Sequence, residues 1–322
     1  MSNQVQFPKN YDRFISLGKE AMEEGNAVEA IEYFQKAYAI RQEFSLNYLL
    51  VSAYLKTGEN TEALIMVEEK KSDYLTCLEY MDVYVQTLIV NQRFLSAYGV
   101  INDRILMENS GEMRSLVALK KKVRQAELLY QQFEVKKIEE IKQELSRLGS
   151  CTYYEQMYLV KRAMSLPQEE FIEVSKAILK DKDIHNLVRS WTLEELCRIH
   201  YHKQVHFLWR DLQLYDVVPA AIGGPLDNMA YQRILFFLEK ELINDHHILL
   251  IDLVEEVRLH FALLYPFADQ LVENPRLWAL CYIQSYNDSV SVSYQDELDS
   301  LEADKIRSLQ QAIRSELEHF VI

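Results

Sequence analysis

Apolar residues recur at intervals of three and four along most of the chain, the spacing that lays one side of an α-helix against a core. The stretch LGKEAMEEGNAVEAIEYFQKA, beginning at Leu17, shows the pattern in its clearest form. Leu17, Gly18, Ala30, Phe34 and Ala37 fall on the facing sides of two antiparallel helices, and Gly25 sits where the chain must turn. Small residues let the helices approach closely, while Leu17 and Phe34 fill the seam between them. The pattern returns in AYLKTGENTEALIMV, where Tyr54, Gly58, Ala63 and Val67 take the same positions. Gly25 to Gly58 is 33 residues, and so is Ala30 to Ala63. A third copy has Leu88, Phe94, Ala97 and Ile101, with Gln92 in place of the turn glycine.

This arrangement resembles the tetratricopeptide repeat (TPR), a helical hairpin of about 34 residues that stacks into arrays. The resemblance covers residues 9–108 and implies that the first helix of each hairpin lines a concave, peptide-binding face. Carried onto this sequence, that face takes Asp12, Ile15, Lys19 and Met22 from the first repeat. Tyr48, Ser52 and Leu55 follow from the second, then Glu79, Asp82 and Gln86 from the third. Arrays that clamp a terminal carboxylate use Lys, Asn and Arg here. Lys19 fits that pattern, whereas Ile15 and Asp82 depart from it, which points to a basic or amphipathic segment with Tyr48, Leu55 and Met22 as anchors.

Residues 112–148 contain no Pro, and Leu116, Leu119, Val123, Tyr130 and then Ile138, Ile141 and Leu145 mark an apolar stripe with a slip of one residue. A linking or capping helix over 109–150 is expected, about 55 Å long if unbroken, with a break near Phe133 as the alternative. Residues 151–322 are expected to form a helical domain without the repeat spacing. Within it, Asp183, Val188, Arg189 and Leu196 are spaced as in the second helix of a HEAT repeat. Period-two alternation in QVHFLWRDLQLYDVV, with Val205, Phe207 and Trp209 on one side and Leu212, Leu214 and Asp216 after the polar pair, predicts a β-hairpin over 204–218. Gly223-Gly224-Pro225 reads as a turn, since no phosphate-loop pattern surrounds it. Helices are expected near 227–243, 246–264 and 275–287, and a single amphipathic helix over 295–322. LLYPF (263–267) with Leu277-Trp278-Ala279 resembles the second halves of uncharacterised TPR-containing proteins of Gram-positive bacteria, which implies no particular chemistry.

Composition narrows the picture. Only 8 Gly and 6 Pro occur in 322 residues, too few for sandwiches or barrels with their many turns. The expected class is therefore all-α, a TPR-like hairpin array followed by a helical domain with one small β-hairpin. The net charge of −14 disfavours nucleic acid, whose binding draws on neutralised phosphates. Acidic excess is uneven: 19 Lys and Arg face 22 Asp and Glu in the first 150 residues, against 16 and 27 in the remainder. Lys120-Lys121-Lys122 is expected to be a solvated helix face. Four widely spaced cysteines and an N-terminus without a basic or apolar signal suggest the cytoplasm, and no apolar run is long enough for a membrane span.

Cys197, His200, His202 and His206 lie close in sequence but match no common zinc spacing, so no metal or other cofactor is expected. Neither GxSxG nor HExxH is present, and paired carboxylates such as Glu139-Glu140 diverge on a helix, so no enzyme activity is expected. A peptide-sensing DNA-binding regulator would need a helix-turn-helix ahead of the first repeat, which starts by about residue 11. The function expected is non-catalytic binding of a protein or peptide partner. Self-association through the apolar stripes of 112–148 and 295–322, giving a homodimer, is the alternative, and a metal-dependent enzyme around His200 and His202 ranks below it.

Overall fold

The structure, a computed structural model, describes residues 9–107, 111–242, 246–286 and 294–318. The chain divides into two units, 1–135 and 136–322. Among the described residues the only strands are the pair of one small antiparallel sheet; everything else regular is helical.

In the first unit the helices alternate as hairpins: α1 (Lys9–Glu23) with α2 (Ala27–Tyr38), α3 (Phe44–Thr57) with α4 (Asn60–Glu69), and α6 (Leu78–Val90) with α7 (Phe94–Leu106). A one-turn helix, α5 (Lys71–Tyr74), intervenes before the third hairpin, and α8 (Met113–Phe133) packs on α6 and α7. The turns follow the repeat. Gly25 and Gly58 adopt left-handed φ values of 82° and 79°, which only glycine tolerates freely, and Gln92 is forced to 60° at the equivalent place. Gly18 is where α1 meets α2: a Cβ there would lie 2.4 Å from Cε1 of the buried Phe34.

Tyrosine hydroxyls tie successive hairpins together. Tyr11 donates to Glu43 (2.9 Å), Tyr38 to Glu69 (2.7 Å) and Tyr98 to Glu127 (2.8 Å). Buried Asn47 joins the set, donating to the Met66 carbonyl and accepting from Tyr74 at 2.9 Å. Burial and the Glu69 carboxylate raise the Tyr38 hydroxyl to about 12. Burial likewise raises Tyr74, a proton donor throughout the ordinary pH range.

The apolar stripe of 112–148 is two helices rather than one. α8 ends at Phe133 and α9 (Val135–Leu145) begins after Glu134, whose φ of −108° and ψ of 28° are not helical. The one-residue slip in the stripe lies between Tyr130 and Ile138, both buried, and the chain breaks inside that interval.

The second unit continues with α10 (Tyr153–Ala163), α11 (Gln168–Ile178) and α12 (Asn186–Arg198). The β-hairpin follows, β1 (Val205–Leu208) against β2 (Leu214–Val217), in the register Val205 to Val217 and Leu208 to Leu214. Its inward residues on β2 are Tyr215 and Val217. Leu212 and Leu214 face outward, so the inner set of the second strand is shifted by one from the set read in the sequence. The Gly223-Gly224 turn is closed by its own carboxylate, Asp227 accepting from the Gly224 N–H at 2.9 Å.

The core of this unit lies among α13 (Met229–Leu242), α14 (His247–Leu264), α16 (Pro275–Tyr286) and the last helix, Leu301–Glu318, with α15 (Ala268–Leu271) at its edge. Phe261, Trp278, Tyr282 and Ile313 are buried at its centre. The expected single helix over 295–322 is interrupted. Gln295–Leu298 forms one turn, then Ser300 caps the long helix by accepting from the Ala303 N–H, which leaves Leu301 81% exposed. The buried stripe is Ala303, Ile306, Gln310 and Ile313. Residues 319–322 lie outside the described residues.

Candidate functional site

The ten groove positions all fall on the first helices of the three hairpins. Asp12, Ile15, Lys19 and Met22 share one side of α1; Tyr48, Ser52 and Leu55 share one side of α3; Glu79, Asp82 and Gln86 share one side of α6. Ile15, Met22, Tyr48 and Leu55 are half-buried, the state of side chains that pack along one flank and offer the other to solvent. Asp12, Lys19, Glu79 and Gln86 are exposed and make no hydrogen bond or ion pair among the described residues.

Tyr48, Glu79 and Asp82 come together across the α3–α6 boundary. The Tyr48 ring packs edge-on to Tyr80 at 5.3 Å, and Phe44, one turn earlier, meets Tyr80 and Tyr74 at 4.9 and 5.0 Å. Burial, then the nearby Glu79 carboxylate with help from Asp82, raises the Tyr48 hydroxyl above its ordinary range. An aromatic platform with negative charge at its edge is thus held rigid by ring packing. Phe44 and Tyr80 went unread in the sequence, although Phe44–Tyr48 and Tyr80–Tyr84 are both i, i+4 pairs on facing helices.

Asp82 is engaged inside the molecule. Lys122 on α8 donates to its carboxylate at 2.6 Å. Lys120 donates to Asn102 at 2.8 Å, so two members of the Lys120–Lys122 run have partners and are not merely solvated. Five of the ten tyrosines of the first unit serve as buried donors between helices. Tyr11, Tyr38, Tyr74, Tyr84 and Tyr98 are all buried, whereas Tyr48 is half-buried on the repeat face.

Around the histidines the geometry is divergent. Cys197 is buried with Sγ 2.8 Å from the Tyr265 hydroxyl, and burial raises its thiol to about 11. His206 faces out from β1 onto Asp216. Among the described residues no three His, Cys, Asp or Glu side chains are placed to hold one metal ion, and no helix is long and apolar enough to cross a membrane.

The chain is similar to a TPR repeat-containing protein. That relative is YsoA of Bacillus subtilis (strain 168), 26% identical over 286 residues, which span 85% of this chain and 83% of that one. No family model matches the chain, and no solved structure does. The likeness extends through both units, and with the TPR-like array it supports a generic protein-interaction scaffold.

Proposed function

We propose that the face formed by α1, α3 and α6 binds a basic or amphipathic segment of a protein or peptide, without catalysis. The observation that carries this is the stripe of half-buried apolar and aromatic side chains on successive repeat helices, with Tyr48 packed on Tyr80 beside the exposed carboxylate of Glu79. Apolar flanks give a partner area to bury, and Asp12 and Glu79 favour a cationic neighbour. Lys122 takes up the charge of Asp82, so Glu79 and Asp12 are the acids left to face the partner. Four free cysteines suit the cytoplasm as the setting.

The test is capture of partners from a host lysate through a photoreactive residue at the exposed Gln86, comparing wild type with the Asp12→Lys/Glu79→Lys variant. Both substitutions lie at exposed positions that make no hydrogen bond or ion pair among the described residues, so the variant keeps its helical circular dichroism. Crosslinked partners lost from that folded variant are the expected result. Equal recovery from both proteins would remove the face from consideration. A homodimer is the second reading, supported by Val117, Leu129 and Phe133, which stand exposed on α8. Light scattering that shows a monomer at micromolar concentration excludes it.

A further inference from the structure

The second unit contains an open cavity of about 800 Å³, separate from the repeat face. Two helices begin at its wall: α10, capped by Thr152, and α12, capped by His185. Buried Gln156 holds these two starts in place. Its Nε2 donates to the carbonyls of Cys151 and Asp183 at 3.2 and 3.1 Å, and its Oε1 accepts from the His185 N–H at 2.8 Å. The cavity therefore has a wall fixed by a fully used side chain.

Its charges are less completely satisfied. Buried Arg189 donates to the carbonyls of Leu208 (2.7 Å), Asp181 (3.0 Å) and Ile184, none of them a carboxylate. Arg210 makes one long contact, 3.3 Å to Glu316, and its buried Nε makes no hydrogen bond. Asn186, 5% exposed in the wall, donates through Nδ2 to the Leu263 carbonyl while its Oδ1 has no partner. Lys182 stands exposed at the rim and has no hydrogen bond or ion pair among the described residues. The lining thus sets Lys182, Arg189 and Arg210 against Asp183 and Glu316, one positive charge in excess, with the N-terminus of α12 adding to it, while that of α10 is met by its own Glu155 carboxylate. Tyr153, Tyr154 and Leu212 give the mouth an apolar side.

We propose that this cavity binds a monoanionic carboxylate ligand, its charge met by Arg210 and Lys182 and its apolar part laid against Tyr153, Tyr154 and Leu212. One negative charge balances the lining, whereas a phosphate dianion would overshoot it. The volume falls in the range of small-ligand sites. Such a carboxylate comes either from the end of a peptide or from a free organic acid.

Equilibrium dialysis with mass spectrometry separates these sources. The probes are a pool of acetylated tripeptides with free carboxyl ends, the same pool amidated, and straight-chain acids from acetate to octanoate. The proteins are the full chain, Lys182→Glu, Arg210→Gln, and Lys203→Glu as a charge control outside the cavity. Retention of acids but not amides is expected, weakened about tenfold or more in Lys182→Glu and Arg210→Gln and unchanged in Lys203→Glu. Lys182 is exposed and makes no hydrogen bond or ion pair among the described residues, so its variant stays folded even if Arg210→Gln does not. Retention of peptide acids alone assigns the site to chain ends, and equal retention of small acids assigns it to free acids. No retention of any acid, equal retention of amides, or undiminished binding by folded Lys182→Glu would overturn the proposal.

Discussion

The two units differ in how far along the chain their polar contacts reach. In the first, Tyr11–Glu43, Tyr38–Glu69 and Tyr98–Glu127 span 32, 31 and 29 residues, close to one repeat each. In the second, Cys197–Tyr265 spans 68, Asn186–Leu263 spans 77 and Arg210–Glu316 spans 106. A stack in which each hairpin bonds only to its neighbour is nearly one-dimensional, and its stability is a sum of local terms. A core closed by distant segments is lost or kept as a whole. The repeat unit should therefore give way piecemeal, and the second unit all at once.

The largest effect expected is at Trp278 of α16, 2% exposed in the core that α13, α14, α16 and the last helix share. Trp278→Ala should cost about 3–5 kcal/mol. Hydrogen exchange should show protection falling together in α12, α13, α14 and α16, with α1 to α4 unchanged. Loss confined to α16 alone would contradict the single-core account.

Gly18→Ala is the matching test in the repeats. The new Cβ would overlap the Phe34 ring, which is fully buried and has nowhere to go, at a cost of about 1–3 kcal/mol. Exchange should quicken in α1 and α2 and hardly at all in α6 and α7. Adding Phe34→Leu should return part of the loss in a denaturant titration, because the clash is with the ring itself. A uniform loss across all three hairpins would mean that the stack is more cooperative than its contacts suggest.

The same contrast explains what was readable in advance. The turn glycines, the small residues at Gly18, Ala30 and Ala63, and the stripes from Asp12 to Gln86 depend on local spacing, which a sequence displays directly. The β-hairpin was legible for the same reason, with Val205, Phe207 and Trp209 buried as expected, though the inner set of its second strand was misplaced by one because alternation does not show where the ladder resumes. The Asp82–Lys122 pair, by contrast, joins residues 40 apart that no local pattern links. The cavity was hidden for a related reason: Arg189 was read as a HEAT-like position, but its partners come from one loop, at Asp181 and Ile184, and from the strand residue Leu208. The buried tyrosine donors were not legible either, because amphipathic rings suit interfaces and helix seams alike, and only the Glu placed one repeat ahead distinguishes the two uses.

Titration should also divide the units. All eight histidines follow residue 150. His260 is buried, with Nδ1 2.7 Å from the Tyr282 hydroxyl. Burial, followed by the Arg314 and Arg210 guanidiniums, holds it down to about 3 from an ordinary 6.5. The adjacent Glu256 does little to raise it, since that carboxylate is committed to Arg314 at 2.6 Å. Between pH 3 and 6.5 the unfolded chain takes up a proton that the native state refuses. Stability from this group is complete above 6.5 and falls on acidification by about 1.4 kcal/mol per pH unit. Urea titration of the second unit at pH 7.5 and pH 5 should show a loss that His260→Gln reduces by about 2 kcal/mol. An equal loss in the variant would mean that His260 takes its proton in the native state.

The smallest effect bears on the repeat turns. Gly25, Gly58 and Gln92 occupy equivalent left-handed positions, and only the last has a side chain that disfavours them. A left-handed residue other than glycine costs about 1–2 kcal/mol, part of which glycine returns through the freedom it gains in the unfolded chain. Gln92→Gly should therefore stabilise the first unit by about 0.5–1 kcal/mol, with slower exchange at the α6–α7 turn. Gly58→Gln, the reverse change one repeat earlier, should destabilise by a similar amount, because a Cβ at Gly58 meets no atom within 4 Å and backbone strain is the cost that remains. If the gain and the loss match, the third hairpin differs from the second at its turn only in that strain. A gain at Gln92 well below the loss at Gly58 would show that the Gln92 side chain contributes contacts that offset its backbone.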